Sequence, residues 1–200
     1  MGLVADCKVF IKKNKVDITI ITLLFLIDII YLMNTTIRLY SFDFSEVRTY
    51  LWAGAFVICN LLLPQLCHLV PQGGIVFAPL SLVIMAGAYK LGWRVGLIAA
   101  VASPLVNHCL TGMPAWSVLP LMTMKLAVIA LVAGFVAQRY KSASLPLIAI
   151  TVLMSLTLGG VGELMLTGGI QTTLNDLLLG WPGLLLQIGG TWLVANKLNA

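Results

Sequence analysis

Long apolar runs separated by short polar connections constrain this chain more than any other feature. A first run covers about residues 18–33. Six more follow at about 51–66, 75–90, 93–111, 117–138, 145–166 and 177–197. A run of roughly 20 apolar residues crosses a bilayer as a helix. The runs lack the strict alternation of barrel strands, so helices are the spanning structure they permit, because only helices and closed barrels satisfy every backbone polar group in lipid. Composition agrees. Charged residues make up 10% of the chain and hydrophobic residues 60%, whereas soluble domains carry about 25% charged residues. Mean hydropathy is +1.03. The sequence therefore predicts an all-α, multi-pass membrane protein with the lipid bilayer as its solvent.

The net charge of +5 does not point to nucleic acid. The basic residues fall in the connections, where they set orientation. Lys90 and Arg94 flank one short connection, Arg139 and Lys141 flank another, and Lys197 follows the last run. The intervening connections, "TGMPA" at 111–115 and "TGGIQTT" at 167–173, carry no Lys or Arg. The positive-inside rule places 90–94, 139–144 and the C-terminus in the cytoplasm. It places "QLCHLVPQGG", "NHCLTGMPAW" and "TGGIQTTLND" outside.

The N-terminal part, residues 1–50, reads as an extension ahead of a six-helix domain at 51–200. Lys8, Lys12, Lys13 and Lys15 form a basic collar before the first run. That run resembles a signal peptide but has no A-x-A cleavage site and contains Asp28, so it is expected to be retained. A six-helix core with both ends inside leaves residues 34–50 cytoplasmic. One span at 18–33 then conflicts with the collar. Either it is a seventh helix with an outside N-terminus, or it lies along the interface or re-enters.

Polar residues within lipid are costly, and they tend to be paired or to line a cavity. Here nearly all of them fall in the outer half. His68 and Gln72 stand in the first outer loop, and Asn107, His108 and Trp116 at the second outer turn. Lys125 lies about eight residues, or roughly 12 Å, below that turn. Glu163 is near the outer end of the fifth core run. Asn175, Asp176 and Trp181 open the sixth, with Gln187 about two turns deeper. These residues are the candidate substrate-binding set. Each also has a plainer reading: Asn107 and His108 as a helix end facing water, Trp116 and Trp181 as interfacial belt residues, Lys125 with Glu163 as a structural ion pair, and His68 as a solvated loop residue. Of the two acids near Lys125, Glu163 is the favoured partner, because Asp176 can reach water.

The four cysteines, Cys7, Cys59, Cys67 and Cys109, form no C-x-x-C pair, and the two histidines lack zinc spacing, so neither a metal site nor a disulfide framework is expected. No resident cofactor is expected either. Small residues at four-residue spacing, which allow close helix approach, occur as Gly54, Ala55 and Cys59 and, more clearly, as Gly96 with Ala100 and Ala99 with Ser103. They fit packing within the bundle or docking of a partner.

Three stretches together resemble the substrate-binding S components of energy-coupling factor (ECF) vitamin transporters. "PLSLVIMAGAYKLGWRVGLIAAVASPLVNHCLTGMP" is similar to their second and third helices. "LPLMTMKLAVIALVAG" is similar to the next helix through Pro120, Met122 and Gly134. "GWPGLLLQIGG" is similar to the last through Pro182, Gly183 and Gln187. The resemblance covers about 51–197. It implies a six-helix bundle, here with one extra N-terminal hydrophobic helix, in a bacterial plasma membrane. It implies a small water-soluble vitamin or cofactor precursor held near the outer face, and no enzymatic activity. It also implies a membrane coupling subunit and two cytoplasmic ATPases as partners. The chain departs from the family in three places, one being that residues 1–50 have no counterpart in the six-helix pattern. Lys125 stands where members often carry Glu, which suggests a substrate with a carboxylate or phosphate. The family's Ala-xxx-Ala docking signature is reduced to Ala55-xxx-Cys59. Two readings stand beside this one: a stand-alone small-solute transporter, and an intramembrane enzyme with His108 and Glu163 as acid and base. No G-x-x-x-x-G-K-[ST] motif is present, so any nucleotide-derived energy would come from a partner.

Overall fold

Proline and glycine punctuate the apolar sequence into helices. The computed structural model describes residues 40, 42–67 and 78–197. The helix expected at 18–33, with Asp28 and the basic collar, lies outside the described residues, as do His68 and Gln72. Among the described residues there are seven helices and no strand: α1 (Val47–Cys67), α2 (Pro79–Leu91), α3 (Trp93–Thr111), α4 (Leu119–Tyr140), α5 (Leu145–Thr167), α6 (Gln171–Leu178) and α7 (Trp181–Lys197). Prolines open α2, α4 and α5, where the missing N–H has no helical partner to lose. Left-handed residues close three helices: Gly112 after α3, Lys141 after α4 and Gly168 after α5.

Four helices are long and apolar enough to cross a membrane: α3, α4, α5 and, over Val47–Gln65, α1. The sequence reading of six core spans is altered in two places. The second core run becomes α2, only 13 residues long, or roughly 20 Å, and almost wholly buried. The last run is broken: α6 and α7 meet at 73°, and together they pass as one span. The break falls at Gly180, where a Cβ would lie 2.5 Å from the Asp176 carbonyl oxygen. Pro182 follows at once. Part of the connection expected at 167–173 is therefore helical, and Asn175 and Asp176 belong to α6 rather than to the start of the last helix.

Central positions go to α2 and α4. Helix α2 packs on α1, α3, α4 and α7, and α4 on α2, α3 and α5. Their shared core is built from Ile84, Met85, Ala88, Leu126, Ala130 and Ala133. Absent side chains set how closely the helices approach. A Cβ on Gly134 would lie 2.4 Å from the Trp93 Cβ, and one on Gly96 would lie 2.4 Å from the Ala88 Cβ. Gly96 and Ala100 are buried by these contacts, so they pack within the bundle rather than present a docking face. Gly54, Ala55 and Cys59 are exposed on α1 among the described residues, none of which comes within 4 Å of a Cβ at Gly54. Buried polar pairs lock the frame. Asn60 on α1 donates to Ser103 Oγ on α3 at 2.9 Å. The Tyr89 hydroxyl donates to the Ser142 carbonyl at 2.6 Å, and the Lys90 ammonium to the Ala195 carbonyl at 3.2 Å.

Candidate functional site

Helices α2, α4 and α7 begin, and α3 and α5 end, at the same end of the bundle. The charge pattern assigns that end to the outside. A cavity of about 310 Å³ opens there between α2, α4, α5, α6 and α7. Its wall is mainly apolar, with Leu121, Met122, Ile129, Val152 and Leu184 among its residues. The polar lining comes from Lys125, Ser155, Thr172, Thr173, Asp176 and Gln187, with Ser81 beside Gln187.

One charged cluster organises this wall. Lys125 projects from α4 toward α5 and α6. Its ammonium donates to Thr172 Oγ1 at 2.7 Å and Asp176 Oδ2 at 2.9 Å, and lies 3.1 Å from Glu163 Oε2. Glu163 is 1% exposed. It accepts the backbone N–H of Thr172 at 2.6 Å on Oε1, and that of Thr173 at 2.8 Å on Oε2. The Thr173 hydroxyl adds a third bond at 2.6 Å. Helix α6 has Ile170 at its cap position and no side-chain cap of its own. The second and third helical N–H groups, normally satisfied by a capping side chain, are satisfied here by a carboxylate from α5. A carboxylate at a helix N-terminus is also favoured by the helix dipole. Small residues make room for this arrangement. A Cβ on Gly160 would meet Thr173 Cγ2 at 3.0 Å, closer than ordinary contact, whereas one on Gly159 would lie at an ordinary 3.6 Å from Lys125 Cγ.

The structure divides the residues singled out from sequence. Lys125, Glu163 and Gln187 come together around the cavity, Glu163 from behind Lys125 and Gln187 from α7. The Gln187 amide nitrogen donates to the Ser81 carbonyl at 3.4 Å. Asn107, His108 and Trp116 form a separate group. Asn107 is buried but borders a different recess with Pro64, Gln65, Thr111 and Met113. The His108 Nδ1 lies 2.8 Å from the Pro114 carbonyl, and its ring meets Trp116 at 5.1 Å. Trp116 is 69% exposed. These contacts fold the 111–116 turn back on α3. Asn175 and Trp181 are exposed and do not line the cavity.

Asp176 reaches water, with its side chain 43% exposed, and also pairs with Lys125, so Lys125 contacts two carboxylates, the expected Glu163 and Asp176. Its three N–H bonds have three acceptors from its own chain. An anionic substrate, suggested by Lys125 standing where the resembled family often carries Glu, would have to compete with these acceptors for the ammonium. Sequence reasoning missed Thr172, Thr173, Ser155 and Ser81. The one available signal was the Thr172–Thr173 pair after an Ile cap, a helix start with no capping side chain of its own. Among the described residues, no group of three His, Cys, Asp or Glu side chains is placed to hold a metal ion. No protein-family model, no curated protein and no solved structure matches the chain.

Proposed function

We propose that the chain is the substrate-binding membrane subunit of an ECF-type importer for a small water-soluble vitamin or cofactor precursor. The observation that carries this reading is the open cavity at the end of the bundle assigned outside, lined by five helices and mostly apolar, with a few fixed polar groups on its wall. Ligand sites have this character: a volume of about 300–1,000 Å³, an apolar body and a small number of placed polar groups. The motif content supports the reading, because a binding subunit needs no phosphate-cradling loop of its own. So does the exposed small-residue patch of Gly54, Ala55 and Cys59 on α1, which suits a membrane coupling subunit. Two cytoplasmic ATPases would supply the energy. The chain would bind and hand over its substrate without chemical change, in a bacterial plasma membrane.

Two measurements on the protein purified from its native membrane test this. Mass spectrometry of the small molecules released on denaturation should return one compound at near-stoichiometric amount. A membrane subunit and two ATPase subunits should co-purify. A stoichiometric compound without ATPases would favour a stand-alone transporter. Recovery of a chemically altered product from an added candidate would favour an enzyme.

A further inference from the structure

The charge balance of the cavity goes further and names the class of its ligand; this step rests on the reading of the cavity as a substrate site. An ammonium has three N–H bonds and no lone pair to accept with. Thr172 Oγ1, Asp176 Oδ2 and Glu163 Oε2 occupy the three on Lys125. Lys125 has no further donor to offer a ligand. Glu163 receives two backbone N–H groups and one hydroxyl besides Lys125. Four donors, one of them a cation, are directed at its two oxygens, so Glu163 acts as an acceptor in the manner of an ionised carboxylate. Lys125, Glu163 and Asp176 together therefore bring one positive and two negative charges, a net charge of −1, to the cavity wall.

No other charged side chain offsets that charge among the described residues; the N-terminal dipole of α6 softens it at Glu163 only in part. The other Lys and Arg residues, from Arg48 to Lys197, lie at the opposite end of the bundle. So do Asp43 and Glu46. His108 is at the near end but does not line the cavity. The unsatisfied capacity on the wall is mainly of one kind. Asp176 Oδ1 accepts no hydrogen bond among the described residues, and its side chain is 43% exposed. Ser155 commits its proton to the Thr151 carbonyl at 2.8 Å, which leaves its lone pairs. Gln187 directs one N–H to the Ser81 carbonyl at 3.4 Å, which leaves its amide oxygen and its second N–H. The wall offers acceptors and negative charge around an apolar body.

We infer that the cavity takes a small organic cation, an ammonium or a protonated nitrogen heterocycle carried on an apolar skeleton. The skeleton packs against Leu121, Met122, Ile129 and Leu184, and the cationic N–H donates to Asp176 Oδ1. Binding then brings the cluster to neutrality. An anion of the same size would raise the local charge to −2 in a low-dielectric site or would have to break the Lys125–Asp176 pair, and both are costly.

The test uses the full chain in nanodiscs and three probes of matched size: 2-phenylethylammonium, 2-phenylethanol and 3-phenylpropionate. Affinities are measured by calorimetry in the parent, Asp176→Asn and Asp176→Glu, and comparison between variants cancels partition into the bilayer. The ammonium probe should bind the parent at least about tenfold more tightly than the alcohol, the scale of one charge-assisted hydrogen bond. The propionate should bind most weakly. Asp176→Asn should close the gap between ammonium and alcohol while keeping the alcohol's affinity, which also reports that the cavity is folded. Asp176→Glu should keep the cation preference. Tightest binding by the propionate, or a cation preference that survives in Asp176→Asn, overturns the charge assignment alone. If none of the three probes binds the parent, the cavity is not a ligand site, and the proposed function falls with the inference.

Discussion

Glu163 on α5 caps the N-terminus of α6 and, with the same carboxylate, holds Lys125 of α4 at 3.1 Å. One buried side chain thus fixes three helices at the cavity wall. Most of what can be tested in this protein follows from that junction.

Replacing Lys125 by Met should destabilise the protein strongly. Glu163 would keep its hydrogen bonds but lose its counter-ion in a site that is 1% exposed. Breaking a buried pair from one side costs about 3–5 kcal/mol. Pairing Lys125→Met with Glu163→Gln should recover part of the loss. Thermal unfolding in detergent measures both, and a single variant as stable as the parent would show that the pair carries no structural weight.

Glu163→Gln should loosen α6 without unfolding the bundle. The amide keeps one acceptor but turns an NH₂ toward a helix end that already presents N–H donors. Loss of a cap costs about 1 kcal/mol. Hydrogen exchange at residues 171–180 should accelerate several-fold more than exchange in α4. Uniform acceleration would mean that the carboxylate stabilises the whole fold rather than this junction.

Gly134→Ala and Gly54→Ala should separate cleanly. The first places a Cβ 2.4 Å from Trp93 Cβ and 2.5 Å from its Cα, so α3 and α4 must move apart. Overpacking of this kind costs about 1–3 kcal/mol. The second meets none of the described residues within 4 Å and should change stability by less than about 0.5 kcal/mol. If the exposed face of α1 docks a coupling subunit, a bulky Gly54→Leu should reduce co-purification of the partner while leaving the melting temperature of the isolated chain unchanged.

Orientation can be read by cysteine labelling in a background without native cysteines. Met113 and Lys141 flank α4, one in the Gly-Met-Pro turn and one in the basic connection. Met113→Cys should react with an impermeant maleimide from outside and Lys141→Cys only after permeabilisation. The reverse pattern would invert the charge-based topology.

Asn107→Ala should leave cavity binding unchanged, whereas Gln187→Ala should weaken it, because Asn107 borders another recess and Gln187 lines the cavity. Titration of the released native ligand against both variants decides this. Equal losses would place Asn107 in the site after all.

Much of the architecture was legible in the sequence, because solvent preference is a local property. A run of apolar residues belongs in lipid whatever surrounds it. Gly112, Pro120, Gly168 and Pro182 mark helix ends through their own backbone limits. The end of the bundle that gathers polar groups could also be read, since height along a span follows from residue count and rise. Azimuth could not. Successive helical residues turn by about 100°, so the neighbour that a side chain faces depends on how each helix is rotated by its contacts. Gly96, Gly134 and Gly160 set those rotations through close approaches known only once the helices are packed. That is why Asn107 and Lys125, both in the outer half of the bundle, face different recesses. The break at Gly180 has the same origin. It lays α6 across the cavity end, where Thr172, Thr173 and Asp176 complete the shells of Glu163 and Lys125. The sequence by itself determined a helical membrane chain with ionisable groups buried near one end. Only the tertiary structure decided that those groups neutralise one another unequally, because the second acid arrives on a helix whose position the first one fixes.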